Sequence, residues 1–317
     1  MKNLMKYFLL LALVPTLLFT SCKDDSNTPV VEENVAFETL KTYLVANNMD
    51  LNQVINTPEN GKFATKALDG KYIIDIRSAE KYNEDHLDGA VNSSVVDILE
   101  TAKQSGGKPI LVVCYTGQTA ARAVCALRLS GYPKAAILKW GMSGQGLSAP
   151  WDGAVSDMAT NHANWTNDAP APTTTNNSPV LNTNATDGAT ILKERVQAML
   201  ENTNWNVKNE LVLSSPENYQ INNYFSEADW NGFGHFKGAY RLNPLTLSGN
   251  QFSNLDPNET IVTYCYTGQT SSLITAYLEV MGYQKAKSLL FGMNGLQHSH
   301  SQWTDNTNIT INQWGDH

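Results

Sequence analysis

The sequence predicts an α/β protein assembled from two copies of one parallel-sheet domain. Three observations carry that prediction. The hexapeptide CYTGQT occurs at Cys114–Thr119 and again at Cys265–Thr270, an offset of 151 residues. The same offset maps Gly131-Tyr132 onto Gly282-Tyr283, Lys134 onto Lys285, Gly141-Met142 onto Gly292-Met293 and Gly144 onto Gly295. A period of that length is a duplicated domain, not a solenoid repeat. Finally, short apolar runs alternate with helically spaced ones in both copies, which is the pattern of parallel strands joined by helical crossovers.

Composition agrees and excludes several classes. The 317 residues suggest about two domains, and 42% apolar content supports packed cores. Thirty acidic residues against 22 Lys and Arg give a charge of −8, with no basic run. Nucleic-acid binding is therefore not expected, because phosphate contacts need clustered cations. Four cysteines without a CxxC pair exclude a disulfide-built fold and a zinc ribbon. His298, His300 and His317 form no convincing ligand set, so neither a metal nor a cofactor is expected.

Residues 1–21 have the layout of a signal peptide. Lys2 and Lys6 precede an apolar run from Tyr7 to Phe19, too short to span a bilayer. LFTSC at its end resembles a lipobox, with Cys22 as the lipidated first residue of the mature chain; ordinary secretion with an incidental Cys22 is the alternative. Lys23-Asp24-Asp25 resembles a surface-export signal of bacterial lipoproteins. The expectation is a protein held in a Gram-negative outer membrane by lipid only, on the periplasmic or the cell-surface face. Cleavage removes two lysines and sharpens the charge to about −10.

Residues 22–35 read as a polar tether, and 36–155 as the first domain. There, Ala36–Ala46 is helical by the spacing of Phe37, Leu40 and Leu44, and Tyr72–Ile76 is a buried strand. Ala79–Asn83 and Val95–Lys103 are helices, Ile110–Val113 is a strand, 119–130 is a helix ended by Gly131, and Ala135–Leu138 is a strand. Residues 156–187, rich in Asn, Thr, Ala and Pro, read as a flexible linker, with Trp165 and Val180 able to dock on a domain. The second domain, 188–317, repeats the plan. Its elements are helix Ile191–Leu200, strand Glu210–Leu213, strand Thr260–Tyr264, helix Thr270–Met281 and strand Lys287–Leu290.

Cys114 and Cys265 each fall where a strand ends and a helix begins, the ligand-binding edge of a parallel sheet. Gly117 and Gly268 allow the loop to curl so that its N–H groups face inward. The helix N-terminus adds positive potential. Both effects favour thiolate and predict a lowered cysteine pKa. The chemistry on offer is nucleophilic attack by sulfur, with an anionic adduct held by backbone donors. Cys125 reads as a core residue. It lies roughly 9 Å along the helix from its start, too far to bridge Cys114.

Taken with Asp75-Ile76-Arg77, His86-Leu87-Asp88-Gly89-Ala90 and Gly234-His235-Phe236-Lys237-Gly238-Ala239, this arrangement resembles the rhodanese (sulfurtransferase) family. The resemblance implies two rhodanese-like domains, each a parallel sheet flanked by helices. It implies that Cys114 and Cys265 accept sulfane sulfur as persulfides and pass it on. The donor would be thiosulfate or a small persulfide, and the acceptor a thiol or cyanide. Tyr115, Thr116, Gly117, Gln118 and Thr119, with Tyr266, Thr267, Gly268, Gln269 and Thr270, would cradle the persulfide. Arg77 would help bind an anionic donor, or else only pair with Asp75. Aligning Glu80-Lys81-Tyr82 with Glu217-Asn218-Tyr219 places Val212 and Ser214 opposite Asp75 and Arg77. Cys114 is then expected to be the more active site. A phosphatase of the same fold needs an arginine six residues past the cysteine; those positions are Ala120 and Ser271. The remaining alternative is a non-catalytic binding module at the cell surface.

Overall fold

The computed structural model describes residues 34–56, 64–305 and 312–315. The signal peptide, Cys22 and most of the tether lie outside the described residues. Asn34 caps α1 (Val35–Ala46), its side chain accepting the Phe37 N–H, and Phe37, Leu40 and Leu44 form the buried stripe. A capping box between Asp50 and Gln53 starts α2 (Leu51–Ile55). There follow β1 (Ala64–Thr65), β2 (Tyr72–Asp75), α3 (Ala79–Glu84), β3 (Val91–Asn92), α4 (Ile98–Ala102), β4 (Ile110–Val113), α5 (Gln118–Leu129), β5 (Ala136–Leu138) and α6 (Ala149–Asp152). The strands form one parallel sheet in the order β1-β5-β4-β2-β3. β4 is central, and its Ile-Leu-Val-Val run is buried on both faces, as parallel sheets require.

The second copy repeats the plan. Its elements are β6 (Trp165–Thr166), α7 (Gly188–Glu201), β7 (Asn206–Val207), α8 (Asn209–Ser214), β8 (Gln220–Asn223), α9 (Glu227–Phe233), β9 (His235–Phe236), β10 (Tyr240–Arg241), β11 (Ile261–Tyr264), α10 (Gln269–Val280), β12 (Lys287–Leu289) and α11 (Gln302–Asp305). Its parallel sheet runs β7-β12-β11-β8-β10, the same order read by equivalent strands.

Three expectations change. The strand foreseen at Glu210–Leu213 is helix α8, which buries Val212 and Leu213 side by side and leaves Leu211 53% exposed. The true strand is β8, whose Asn222 and Asn223 are fully buried. Hydropathy hides such a strand, because the burial is made tolerable by hydrogen bonds: Asn222 Oδ1 accepts the Leu242 N–H, and Asn223 Nδ2 donates to Tyr264 Oη. The helix foreseen over Val95–Lys103 is only α4, followed by a short 3-10 turn to Ser105. Residues 156–187 are largely exposed but anchored at several points on the second copy rather than free. β6 pairs antiparallel with β9, Trp165 Nε1 donates to Phe233 O at 2.9 Å, and Leu181 is buried while Val180 is exposed. Backbone bonds from Ala171 to Ala239 O and from Asn176 to Ser253 O hold the rest against the second copy. Composition failed here because the segment borrows an existing surface instead of building a core.

The main core lies between the two sheets. α5 packs on α10, α7 packs on α1, α5 and α10, and α2 touches both α5 and α10. Leu40, Leu44, Val124, Ile191, Leu273 and Tyr277 belong to one apolar cluster through this layer. Polar bonds reinforce it. Asp50 accepts the N–H groups of Leu247 and Ser248, at 2.8 and 3.0 Å, and Tyr277 Oη donates to Met49 O. The two copies thus share one core and belong to a single compact unit.

Candidate active site

Each CYTGQT segment closes a central strand and opens a helix. Gly117 turns the chain at φ +84° and Gly268 at +76°, a region that side chains rarely adopt. In the first copy the turn brings amides onto the sulfur. Cys114 Sγ accepts the Gly117 N–H at 3.1 Å and the Ala120 N–H at 3.4 Å, and the residue is 5% exposed.

The thiol lacks the lowered pKa expected of it. Burial pushes Cys114 up, and the amides of Ala120, Thr116, Gly117 and Thr119 pull the other way without overcoming it. Desolvation penalises the thiolate more than the backbone donors help it. A raised pKa leaves less thiolate at neutral pH. Alkylation of Cys114 is therefore expected to keep accelerating with pH beyond the ordinary thiol range. Peptide-mapped iodoacetamide rates check this, and a plateau already at neutral pH contradicts it. Cys125 is buried, and burial raises its pKa to about 12, as befits a core thiol.

The second sulfur has different company. Cys265, 2% exposed, accepts the Ser271 N–H at 3.3 Å and donates its own proton to Ser271 Oγ at 3.5 Å. Ser271 Oγ in turn donates to Gly268 O and meets Ser288 Oγ. Ala120 occupies the Ser271 position in the first copy, so this hydroxyl belongs to the second site alone.

Asp75 and Arg77 form a buried pair at the end of β2. Arg77 Nε donates to both carboxylate oxygens at 3.0–3.1 Å, and Nη2 donates to Asp75 Oδ2 at 2.7 Å and to Asp85 O at 2.6 Å. The guanidinium lies 5.5 Å from the centre of the Tyr115 ring, and Nη1 remains unengaged among the described residues. Their counterparts are Asn223 and Phe225, not Val212 and Ser214. The sheet register pairs Asp75 with Val113 and Asn223 with Tyr264. Asp75 Oδ1 accepts the Arg77 N–H at 2.9 Å, as Asn223 Oδ1 accepts that of Phe225. Phe225 stacks on Tyr266 at 4.5 Å, where Arg77 faces Tyr115. Tyr266 Oη donates to buried Asp229 through a very short bond. Burial first, and that bond second, raise the Tyr266 pKa far above the phenol range.

The other foreseen residues divide. Thr116 and Thr267 hydroxyls accept the Gln118 and Gln269 N–H groups within their own loops. Thr119 and Thr270 are part-exposed. Gln118 and Gln269 are buried and cross between the copies instead of facing a substrate. Gln118 Oε1 accepts the Phe291 N–H at 2.8 Å, and a Cβ on Gly117 would come 2.4 Å from Gln269 Oε1. The reach of a side chain into the other copy is not encoded in either loop.

Sequence reasoning missed two contributors. One is the Ala120 amide, just past the hexapeptide. The other is the turn at Trp140-Gly141-Met142, repeated at Phe291-Gly292-Met293. Met142 N–H donates to Cys114 O at 2.8 Å, and Met293 N–H to Cys265 O at 3.1 Å. Trp140 and Phe291 have φ +68° and +60°, and the glycines after them φ +58° and +54°. The matched Gly-Met pairs were the available signal.

A cavity of about 410 Å³ opens beside Tyr115, walled by Arg77, Lys81, Glu84, Asp85, Leu147 and Pro150. A larger groove, about 1170 Å³, runs between α4 and α7 over charged helix surface, and neither it nor the cavity beside Tyr115 is lined by Cys114 or Cys265.

This strand–cysteine–amide-loop–helix unit, present twice, is matched by the family model of the rhodanese-like domain at residues 60–145 and 217–299. The chain belongs to that family. Among solved structures it is similar to a thiosulfate sulfurtransferase from Pseudomonas aeruginosa, at 12% identity and a TM-score of 0.26. That match covers 81% of this chain and 46% of the other, so the chain spans under half of that protein's length. It is also similar to the 3-mercaptopyruvate sulfotransferase SseA of Escherichia coli, at 18% identity and a TM-score of 0.27, covering 81% of this chain and 97% of the other. No curated protein matches it.

Proposed function

We propose that the chain is a sulfurtransferase that carries sulfane sulfur on Cys114 and passes it to a thiol or cyanide, lipid-anchored outside the cytoplasm. The observation that supports this reading is the Cys114 sulfur with two amide donors aimed at it. Those donors would hold a terminal persulfide anion as an oxyanion hole holds oxygen. The reaction is two half-steps through a covalent enzyme–sulfur intermediate. Thiosulfate as donor belongs to the same proposal, but the acidic chain and the engaged Arg77 do not favour it.

The second copy supports the non-catalytic reading for itself. Its cysteine donates a hydrogen bond to Ser271 Oγ, and Phe225 replaces Arg77. Intact-protein mass spectrometry after exposure to thiosulfate or polysulfide tests both statements. Wild type and Cys265→Ser are expected to gain ~32 Da, one sulfur atom, at Cys114. Cys114→Ser is expected to load at least about tenfold more slowly. Equally fast loading of Cys265 in Cys114→Ser overturns the assignment of the active copy.

A further inference from the structure

Each CYTGQT loop is covered by a glutamine of the other copy. A Cβ built on Gly117 would lie 2.4, 2.8 and 3.2 Å from Oε1, Cδ and Cγ of Gln269. One built on Gly268 would lie 2.3 and 3.0 Å from Oε1 and Cδ of Gln118. Both glutamines are buried. The exchange is unequal in its hydrogen bonds. Gln118 Oε1 accepts the Phe291 N–H, and Gln118 Nε2 donates to Thr116 Oγ1 at 3.1 Å. Gln269 Oε1 accepts no hydrogen bond among the described residues, although Trp140 is the counterpart of Phe291 at the 151-residue offset. The two glycines differ as well. Gly117 N–H donates to Cys114 Sγ at 3.1 Å, whereas among the described residues the backbone donor to Cys265 Sγ is Ser271. A side chain resting on Gly117 therefore rests on a residue that serves the sulfur, and one resting on Gly268 does not.

Gly117 needs such support. A glycine populates positive and negative φ about equally, so holding it at +84° is left to its neighbours. Trp151 Nε1 donates to Thr116 O at 3.3 Å, at one end of the Thr116–Gly117 peptide. Gly117 O accepts the Ala121 N–H at 3.1 Å. The Cα between these two bonds has only packing to fix it, and the end of the Gln269 side chain fills the space beside it. Gln269 is itself well placed to act as a stop. It is the first residue of α10, and its N–H donates to Thr267 Oγ1 at 3.3 Å. A buried acceptor without a donor is a cost to the fold. Hydrogen bonding by Oε1 therefore does not account for the position of this side chain, whereas packing on Gly117 does.

We propose that the second copy completes the Cys114 site, with Gln269 as a positioning residue whose bulk keeps the Gly117 amide on the sulfur, an inference that rests on the sulfurtransferase reading above. Gln269 touches neither donor nor acceptor. It acts through Gly117, and its loss releases one of the two amides aimed at Cys114. The second copy then serves the reaction whether or not Cys265 ever carries sulfur.

The test compares full-length wild type, Gln269→Ala and Gln269→Met, each below its melting range. One readout is the rate of ~32 Da gain mapped to Cys114 over a series of inorganic polysulfide concentrations. The other is hydrogen exchange of the Gly117 amide, followed by NMR. Gln269→Ala is expected to lower the maximal loading rate at least about tenfold while the half-saturating concentration stays within about twofold, because the nucleophile is misplaced and the donor's own contacts are untouched. Its Gly117 amide is expected to exchange at least about tenfold faster, with Val113 in the central strand unchanged. Gln269→Met restores the bulk without the stranded oxygen. It is expected to keep both rates within about twofold of wild type and to melt no lower. Wild-type loading in Gln269→Ala overturns the proposal, as does a Gln269→Met protein as slow as Gln269→Ala. Exchange that rises equally at Gly117 and Val113 also overturns it, since the fold as a whole has then loosened. A wild type that gains no sulfur overturns the sulfurtransferase reading, and Gly117 exchange in the variants still decides whether Gln269 holds the loop.

Discussion

Glu279→Ala is expected to lower the unfolding free energy by about 3–5 kcal/mol. Arg122 and Glu279 meet in the layer between the sheets, with Nη1 to Oε1 at 2.7 Å and Nη2 to Oε2 at 3.0 Å, and with both side chains 2–3% exposed. Nη2 also donates to Met199 O and Asn202 O, and the guanidinium lies 5.0 Å from the Trp205 ring centre. Removing the carboxylate leaves a desolvated cation with only the Met199 and Asn202 carbonyls as hydrogen-bond partners. Removing both charges is a different experiment. Arg122→Leu with Glu279→Leu leaves apolar surface on both helices, and it is expected to recover most of the loss, because the pair itself is a weak net contributor once desolvation is counted. Guanidinium denaturation of the two variants checks this. A loss under about 1 kcal/mol in Glu279→Ala would mean the pair is solvated.

That ion pair also marks the boundary of what the sequence discloses. The repeat, the parallel fold and the position of both cysteines follow from local signals. Ile110–Val113 is a continuous aliphatic run that only a strand buried on both faces explains. Gly117 and Gly268 announce left-handed turns. Arg122 is one of two arginines on a largely apolar helix, and its partner lies in the other copy, 157 positions away. Gln118 is equally opaque, since its hydrogen bond is to Phe291. β8 was missed because buried asparagines look like a loop to any hydropathy measure. That miss displaced the counterparts of Asp75 and Arg77 from Asn223 and Phe225 to Val212 and Ser214. The cysteine pKa went the wrong way for a related reason: helix and loop dipoles are legible in a motif, while the desolvation opposing them depends on everything packed above it. What stayed hidden in each case is contact between segments distant in sequence.

Gly141→Ala is expected to damage both stability and sulfur loading. A Cβ at this position would lie 2.3 Å from Cys114 O and 2.7 Å from Tyr115 C and O, all backbone atoms that cannot rotate aside. The residue also holds φ +58° directly after Trp140 at +68°. Left-handed backbone costs a non-glycine residue about 1–2 kcal/mol, and overpacking adds about 1–3 kcal/mol. Relief requires the turn to retreat from the loop, and the retreat breaks the Met142 N–H bond to Cys114 O. The nucleophile then loses its fixed position relative to the Gly117 and Ala120 amides, so persulfide formation is expected to fall at least about tenfold. Gly292→Ala supplies the control. Its Cβ would come 2.1 Å from Cys265 O in the equivalent turn, so a comparable loss of stability is expected. If Cys114 carries the chemistry, however, Gly292→Ala retains sulfur loading below its melting range while Gly141→Ala does not. Melting curves and donor-exposed mass spectra of the two variants separate these effects. Loading mapped to Cys265 and lost only in Gly292→Ala would place the second cysteine in the reaction.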